Sequence, residues 1–231
     1  MKSLLGIIGG MGTQATACFY EMLHSLQSVA AEQEYIDVLL YSMPSIPDRT
    51  AYITGQSSES PLGSLTHAAQ ILESSGVSCI ALPCATSHFF YSELAASVNI
   101  PILNMLDETA YYAEEQGFKK VCLLATDGTL RGGFFQAAFK KRGIEVITPA
   151  EGIQADIMDM IYEIKRGEAV SPDALSAIIS KARDDGAETV VLGCTELCVI
   201  ADSAKIYCDS INTLQVLAEA SIAFCKKGIV K

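Results

Sequence analysis

Positive charge is scarce in this 231-residue sequence: 16 Lys and Arg stand against 27 Asp and Glu, a formal net charge of −11. The basic residues form no stripe, only short pairs such as Lys119-Lys120, Lys140-Lys141 and Lys226-Lys227. Nucleic-acid binding depends on clustered cations that neutralise phosphates, so this composition argues against a nucleic-acid partner. Long hydrophobic runs are also missing. The opening MKSLLGIIGGMG holds an apolar stretch of only about six residues before its glycines. That is too short for a signal-peptide core or a membrane span, so a cytoplasmic location with no membrane partner is expected. Histidine occurs three times and tryptophan not at all; the second absence excludes nothing.

Cysteine, by contrast, is present eight times. In a reducing cytosol these are expected as free thiols, because disulfide frameworks belong to small secreted chains. Cys18, Cys79, Cys122 and Cys225 lie in apolar-patterned segments and read as buried small hydrophobes. Half the residues are hydrophobic and 19% are charged, which fits a chain with a large core.

Short apolar runs alternate with longer amphipathic stretches. Strands are expected at 3–9, 36–43, 77–83, 120–126, 145–148 and 189–193, with shorter ones at 100–105 and 205–209. They are rich in Val, Ile and Leu without period-2 alternation, as in parallel strands covered on both faces. Helices are expected at 14–29, 60–75, 87–97, 106–117, 130–142, 151–167, 172–186 and 211–227. This order predicts an α/β protein with parallel sheets.

A repeat divides the chain. SSGVSCIALPCATSH (74–88) parallels DDGAETVVLGCTELC (184–198), so that Cys84 corresponds to Cys194, 110 positions on. LLGIIGGMGTQATACFYE (4–21) parallels VCLLATDGTLRGGFFQA (121–137) in the same way. Two Rossmann-like, pseudo-symmetric lobes follow, residues 1–101 plus 209–231 and residues 102–208. Ligands of parallel sheets bind beyond the carboxyl ends of the strands, which places Gly10–Thr13, Cys84, Asp127–Thr129 and Cys194 around one inter-lobe crevice.

Three constellations carry chemistry. Gly10-x-Gly12-x-x-Ala15 fits a dinucleotide fingerprint in outline, but the acidic residue needed at the end of the second strand is absent, and no Lys-Ser/Thr pair follows to make a P-loop. What survives is a glycine loop whose N–H groups can hold an anion such as a carboxylate. In SIPDRTAYI, Arg49 follows a proline turn and can reach the crevice, where guanidinium forks suit carboxylates; alternatively it is a loop arginine paired with Asp48. The third is the pair Cys84 and Cys194. A thiol between a strand end and a helix start has its thiolate favoured by the helix dipole, below the free value of about 8.5. Two such thiols at matching lobe ends suit inversion of a carbon acid, one removing the Cα proton and the other protonating the opposite face. A zinc site from Cys84, His88, Cys194 and Cys198, and a Cys84–His88 hydrolase, are the rival readings.

Taken together, GIIGGMGTQAT, IPDRTAYI, PCATSH, IYEIKRG and LGCTEL resemble the aspartate/glutamate racemase superfamily, most closely its aspartate racemase branch. The resemblance runs over essentially the whole chain. It implies a cofactor-independent, metal-free, two-thiol racemase of two α/β lobes, usually a homodimer, acting on a small acidic amino acid. It implies Cys84 and Cys194 as the catalytic pair and Arg49 and Lys165 as carboxylate binders. Met11 and Gly12 match the pocket-lining glycine loop, and Thr86 and Thr195 the threonines beside the cysteines. At Ala85 the family commonly has Asn, and at Thr13 Pro; the first departure bears on aspartate specificity. Glutamate racemase proper is the weaker match, since residues 6–12 contain no acid. The expected activity is aspartate racemisation, with broader amino-acid specificity or binding without catalysis as alternatives.

Overall fold

A computed structural model describes residues 3–204 and 210–227. It contains two parallel sheets. The first orders β2 (Asp37–Ser42), β1 (Leu4–Gly9) and β3 (Cys79–Ala81) side by side; the second orders β5 (Glu145–Ile147), β4 (Lys120–Leu124), β6 (Thr189–Leu192) and β7 (Ser210–Asn212). Register pairs Ile7 with Leu40 and Ala81 in the first sheet, and Leu123 with Val191 in the second. The α/β class with two parallel sheets is therefore the observed one.

The lack of period-2 alternation has a direct cause. In β1, Leu5 and Ile7 face a large core that continues into the second half, while Ile8 faces a smaller core on the other side. Cys79 and Ala81 of β3 divide from Ile80 in the same way. Both faces of the strands are covered, so both parities must be apolar. The small outer core is closed by Leu65, Ala68, Ala69 and Leu72, all on one face of α3 (Leu62–Ser74). Their 3–4 spacing forms the helix stripe. Full burial of each leucine contributes roughly 1.5–3 kcal/mol.

The remaining helices are α1 (Thr13–Ser25), α2 (Arg49–Thr54), α4 (Tyr91–Ala96), α5 (Met105–Glu115), α6 (Asp127–Gly132), α7 (Phe134–Lys140), α8 (Glu151–Lys165), α9 (Pro172–Asp184), α10 (Thr195–Ser203) and α11 (Thr213–Lys227). The long expected helices are present. The expected helix over 130–142 is broken in two, because Gly133 takes φ +68 between α6 and α7. The expected helix over 87–97 begins as a 3₁₀ turn, Ala85–Phe90, before α4. Residues 100–105 form a single parallel bridge, Ile80 to Ile102, instead of a strand. The strand expected at 205–209 lies outside the described residues. The second sheet instead includes Ser210–Asn212, three residues beyond the expected return point at 209, and α11 then packs on both α5 and α1. Two short helices, α2 and α10, have no counterpart in the sequence reading. Both carry residues of the candidate site.

Among the described residues, no helix is long and apolar enough to cross a membrane. Seven cysteines are free and buried; Cys208 lies outside the described residues.

Candidate active site

The carboxyl ends of β1, β3, β4 and β6 open onto one small, narrow pocket. Eight of the residues singled out from sequence line it. Met11 comes from the glycine loop, Arg49 from α2, and Lys165 from the end of α8. Cys84, Ala85 and Thr86 follow β3, and Cys194 and Thr195 follow β6. Gly12 contributes from just outside through its N–H. Thr50, Thr126 and Glu196 complete the lining and are additions to the sequence reading.

The glycine loop is built by close approach. Gly10 takes φ +95, and a Cβ there would lie 2.6 Å from the Met43 backbone. Its N–H donates to Thr16 Oγ1 at 2.9 Å, and that hydroxyl donates to Gly12 O at 2.8 Å. The Gly12 N–H donates to Glu196 Oε1 at 3.2 Å. The anion expected at this loop is thus a carboxylate, but one supplied by the protein.

Arg49 is the first residue of α2, whose N-cap Asp48 accepts from the Ala51 N–H at 2.8 Å. The guanidinium is buried and does not pair with Asp48. Nη1 donates to Ile46 O at 3.2 Å and Pro47 O at 3.0 Å, while Nε is buried without a partner. A buried cation with an unused donor is a seat for an anion. Asp48 faces Lys165 instead, at 4.0 Å. The Lys165 ammonium also lies 5.1 Å from the centroid of the Tyr162 ring. Burial pulls its pKa down, but Glu196, Cys194 and Asp48 more than offset that and leave it raised, so the side chain is a cation.

The two thiols differ. Cys194 is buried, and its Sγ donates to Glu196 Oε2 at 3.0 Å; the Thr195 hydroxyl donates to the same oxygen at 3.3 Å. Burial, then the Glu196 charge, push the Cys194 thiol well above its ordinary value, with Lys165 opposing. This reverses the expectation of a dipole-favoured thiolate at Cys194. Desolvation and an anion at hydrogen-bond distance outweigh the start of α10. At the corresponding place after Cys84 the sequence has Thr86 where Glu196 follows Cys194. Thr86 Oγ1 lies 3.1 Å from Thr126 Oγ1 and 3.0 Å from Thr129 Oγ1, a closed ring of hydroxyls joining the two halves.

His88 is not a base for Cys84. Its Nδ1 faces the Cys84 carbonyl at 3.0 Å and its Nε2 accepts from the Met105 N–H at 3.1 Å, so both nitrogens are committed to backbone. Cys198 turns away too, its Sγ donating to Leu192 O at 3.4 Å. These contacts remove the Cys84–His88 hydrolase and the zinc reading together. Among the described residues, no group of three or more His, Cys, Asp or Glu could hold a metal ion.

The halves meet tightly over the pocket. Arg131 of α6 donates to Thr54 O of α2 at 3.0 Å. A Cβ on Gly128 would stand 2.9 Å from the Thr50 Cα. A larger cleft of about 990 Å³ lies between α1 and α11 and contains neither Cys84 nor Cys194.

This geometry has known counterparts. The Asp/Glu/hydantoin racemase family matches residues 8–221. The broad-specificity amino-acid racemase of Bacillus subtilis strain 168 is 26% identical over 95% of this chain and 97% of its own. Among solved structures, Picrophilus torridus aspartate racemase superposes with TM-score 0.87 at 30% identity, covering 97% of this chain and 94% of its own. An aspartate racemase homologue from Pyrococcus horikoshii OT3 gives 0.78 at 25%, covering 98% of this chain and 100% of its own. A glutamate racemase from Francisella tularensis, at 16% identity and TM-score 0.72, covers 99% of this chain and 82% of its own and shares the fold. The chain belongs to the Asp/Glu/hydantoin racemase family and is an amino-acid racemase of the α/β two-sheet type.

Proposed function

We propose that the protein racemises a small acidic amino acid, aspartate foremost, by a two-base mechanism at Cα using Cys84 and Cys194. The observation that carries this reading is the presence of both thiols, from corresponding strand ends, in one pocket with two cations. Arg49 and Lys165 take the substrate carboxylates, and their charge stabilises the carbanion in a water-poor site. For the enantiomer that presents its Cα–H to Cys84, Cys84 Sγ is the base and Cys194, whose Sγ–H is held by Glu196, is the acid. The Cα–H bond breaks, its proton moves to Cys84 Sγ, and Cys194 Sγ–H delivers its own proton to the opposite face. Cys194 is left as the thiolate, and the reverse transfer uses the same groups with roles exchanged.

The Cys194 thiolate formed in this step would stand 3.0 Å from a carboxylate oxygen. Repulsion from that oxygen favours rapid reprotonation of Cys194, and Lys165 supplies the compensating charge while the thiolate lasts. Glu196 is the positioning group for this half, bridging Cys194, Thr195 and the glycine loop.

A second reading, racemisation over a broader set of amino acids, is favoured by Ala85. It is buried at the pocket wall, where the resemblance leads one to expect an amide donor. The Bacillus relative is itself of broad specificity. Deuterium uptake at Cα in D₂O, measured for both enantiomers of each proteinogenic amino acid with chiral separation, decides between them. Uptake confined to aspartate supports the first reading, and uptake across several side chains supports the second. Cys84→Ala and Cys194→Ala should each abolish racemisation while ligand binding persists. A Cys84→Ala variant racemising at the wild-type rate refutes the two-thiol mechanism, and binding without uptake in the wild-type protein leaves a non-catalytic amino-acid binder.

A further inference from the structure

We infer that His88 is a positioning residue for one thiol only: it locks the turn carrying Cys84 onto the first residue of α5, and so fixes the Cys84 side of the pocket independently of the Cys194 side. The inference rests on the two-thiol reading of the pocket. An amide N–H can only donate, so the 3.1 Å contact from Met105 N requires His88 Nε2 to be unprotonated. The ring proton is then on Nδ1, and it is donated to the Cys84 carbonyl at 3.0 Å. One neutral tautomer satisfies both bonds, and protonation at Nε2 would break the bond to Met105.

The surroundings hold that arrangement. His88 is 3% exposed, and its ring lies nearly parallel to Tyr91, at 4° and 6.1 Å between centroids. The Tyr91 hydroxyl donates to Ile102 O at 3.0 Å, tying the same turn to the segment that leads into α5. Ile80 N–H and Leu103 N–H close the ladder between β3 and that segment, to Pro101 O at 2.9 Å and Ile80 O at 2.8 Å. Of the charged groups, Asp107 on α5 faces the ring; the Leu103 and Ala85 backbones are its other polar neighbours. Burial dominates and keeps the imidazole neutral, against the opposing pull of these groups. No equivalent device serves Cys194, whose anchor is the Glu196 carboxylate.

The test compares His88→Leu, which loses both bonds, with His88→Asn, whose amide N–H stands where Nδ1–H stands, and His88→Gln, whose oxygen reaches towards Met105 instead. Two measurements are made. The first is Cα-proton washout in D₂O from each aspartate enantiomer. The second is the rate of iodoacetamide alkylation at Cys84 relative to Cys194, read peptide by peptide by mass spectrometry. In His88→Leu, kcat/KM for Cα-proton exchange should fall about tenfold or more for both enantiomers together, since Cys84 is the base in one direction and the acid in the other and a displaced catalytic group loses rate steeply. KM should change by less than about threefold. Cys84 should be alkylated faster relative to Cys194, and His88→Asn should restore both readouts where His88→Gln does not. An unchanged alkylation ratio overturns the inference and makes His88 a general core residue. If His88→Leu does not fold, the contrast between Asn and Gln decides alone: equal behaviour of the two overturns it. If the wild-type protein exchanges no Cα proton of any amino acid, the racemase reading fails, and the alkylation ratio still decides the role of His88.

Discussion

Gly128→Ala tests how the pocket is closed. Gly128 is the second residue of α6, and its backbone abuts α2 so closely that a Cβ would lie 2.9 Å from Thr50 Cα and 3.1 Å from Thr50 Oγ1. The first of these neighbours is backbone, so no side chain can swing aside. Carbon atoms pack best at about 3.5–4.0 Å, and α2 and α6 must therefore part by roughly 0.6–1 Å. Overpacking of this kind costs about 1–3 kcal/mol. For a chain of this length that corresponds to a melting point lower by roughly 2–12 °C. The catalytic consequence should exceed the thermodynamic one. Thr50 follows Arg49, so the guanidinium moves with α2 while Cys194 and Glu196 stay with the second sheet. A displacement near 1 Å between groups that hold one substrate can reduce kcat/KM by about 100-fold. Gly152→Ala is the control: no atom lies within 4 Å of its Cβ position, and it stands in the first turn of α8. Its stability should be unchanged or raised by up to about 1 kcal/mol. Thermal unfolding and Cα deuterium exchange measured on both variants are sufficient. Gly128→Ala with the melting point and exchange rate of Gly152→Ala would refute the claim that steric contact between α2 and α6 sets the pocket geometry.

Glu196→Gln keeps an acceptor for the Gly12 N–H but removes the charge beside Cys194. Its kcat should fall about 100-fold, and the alkaline limb of its pH–rate curve should move towards neutrality as Cys194 ionises more readily. An unmoved limb counts against the electrostatic role. Lys165→Met should raise KM for aspartate by about 10- to 100-fold, the worth of one charge-assisted contact, with kcat less affected; a change in kcat alone would move Lys165 from binding to chemistry. His88 gives a stability signal of its own. Its folded-state pKa is lowered by burial from 6.5, so the unfolded chain takes up the proton first. Its contribution is fully present above that pH and is lost as pH falls below it, by at most about 1.4 kcal/mol per pH unit. Urea midpoints measured from pH 7.5 to 5 should show this slope in the wild-type protein and a shallower one in His88→Asn.

The strands and most helices were legible because burial on both sheet faces forces continuous apolar runs, and amphipathic helices keep their period. Cys84 and Cys194 were legible because strand ends of parallel sheets face one side. Glu196 was visible as a letter two positions after Cys194, but its use was not. Nothing in LGCTEL says that its carboxylate turns back onto both the thiol and a glycine loop 184 residues away. The expectation for the Cys194 pKa failed for the same reason, since dipole arguments ignore an anion that only the fold brings close. Short helices escape periodicity altogether: α2, with six residues, completes too few turns to show a stripe. His88 suggested catalysis by sequence proximity to Cys84, and its partner Met105, 17 residues on, is set by the path of the chain into α5.

The unlike neighbours of the two thiols, a hydroxyl ring beside one and a carboxylate beside the other, bear on what kinetics can reveal. Two enantiomers in achiral water have equal free energy, so for any racemase the ratio of kcat/KM in the two directions is fixed at unity. A lopsided site cannot prefer one product at equilibrium. Its imbalance can emerge only as matched inequalities, a faster turnover in one direction tied to a proportionally weaker apparent affinity. The Glu196 carboxylate on one side of the pocket thus predicts unequal kcat values whose quotient equals the quotient of the KM values.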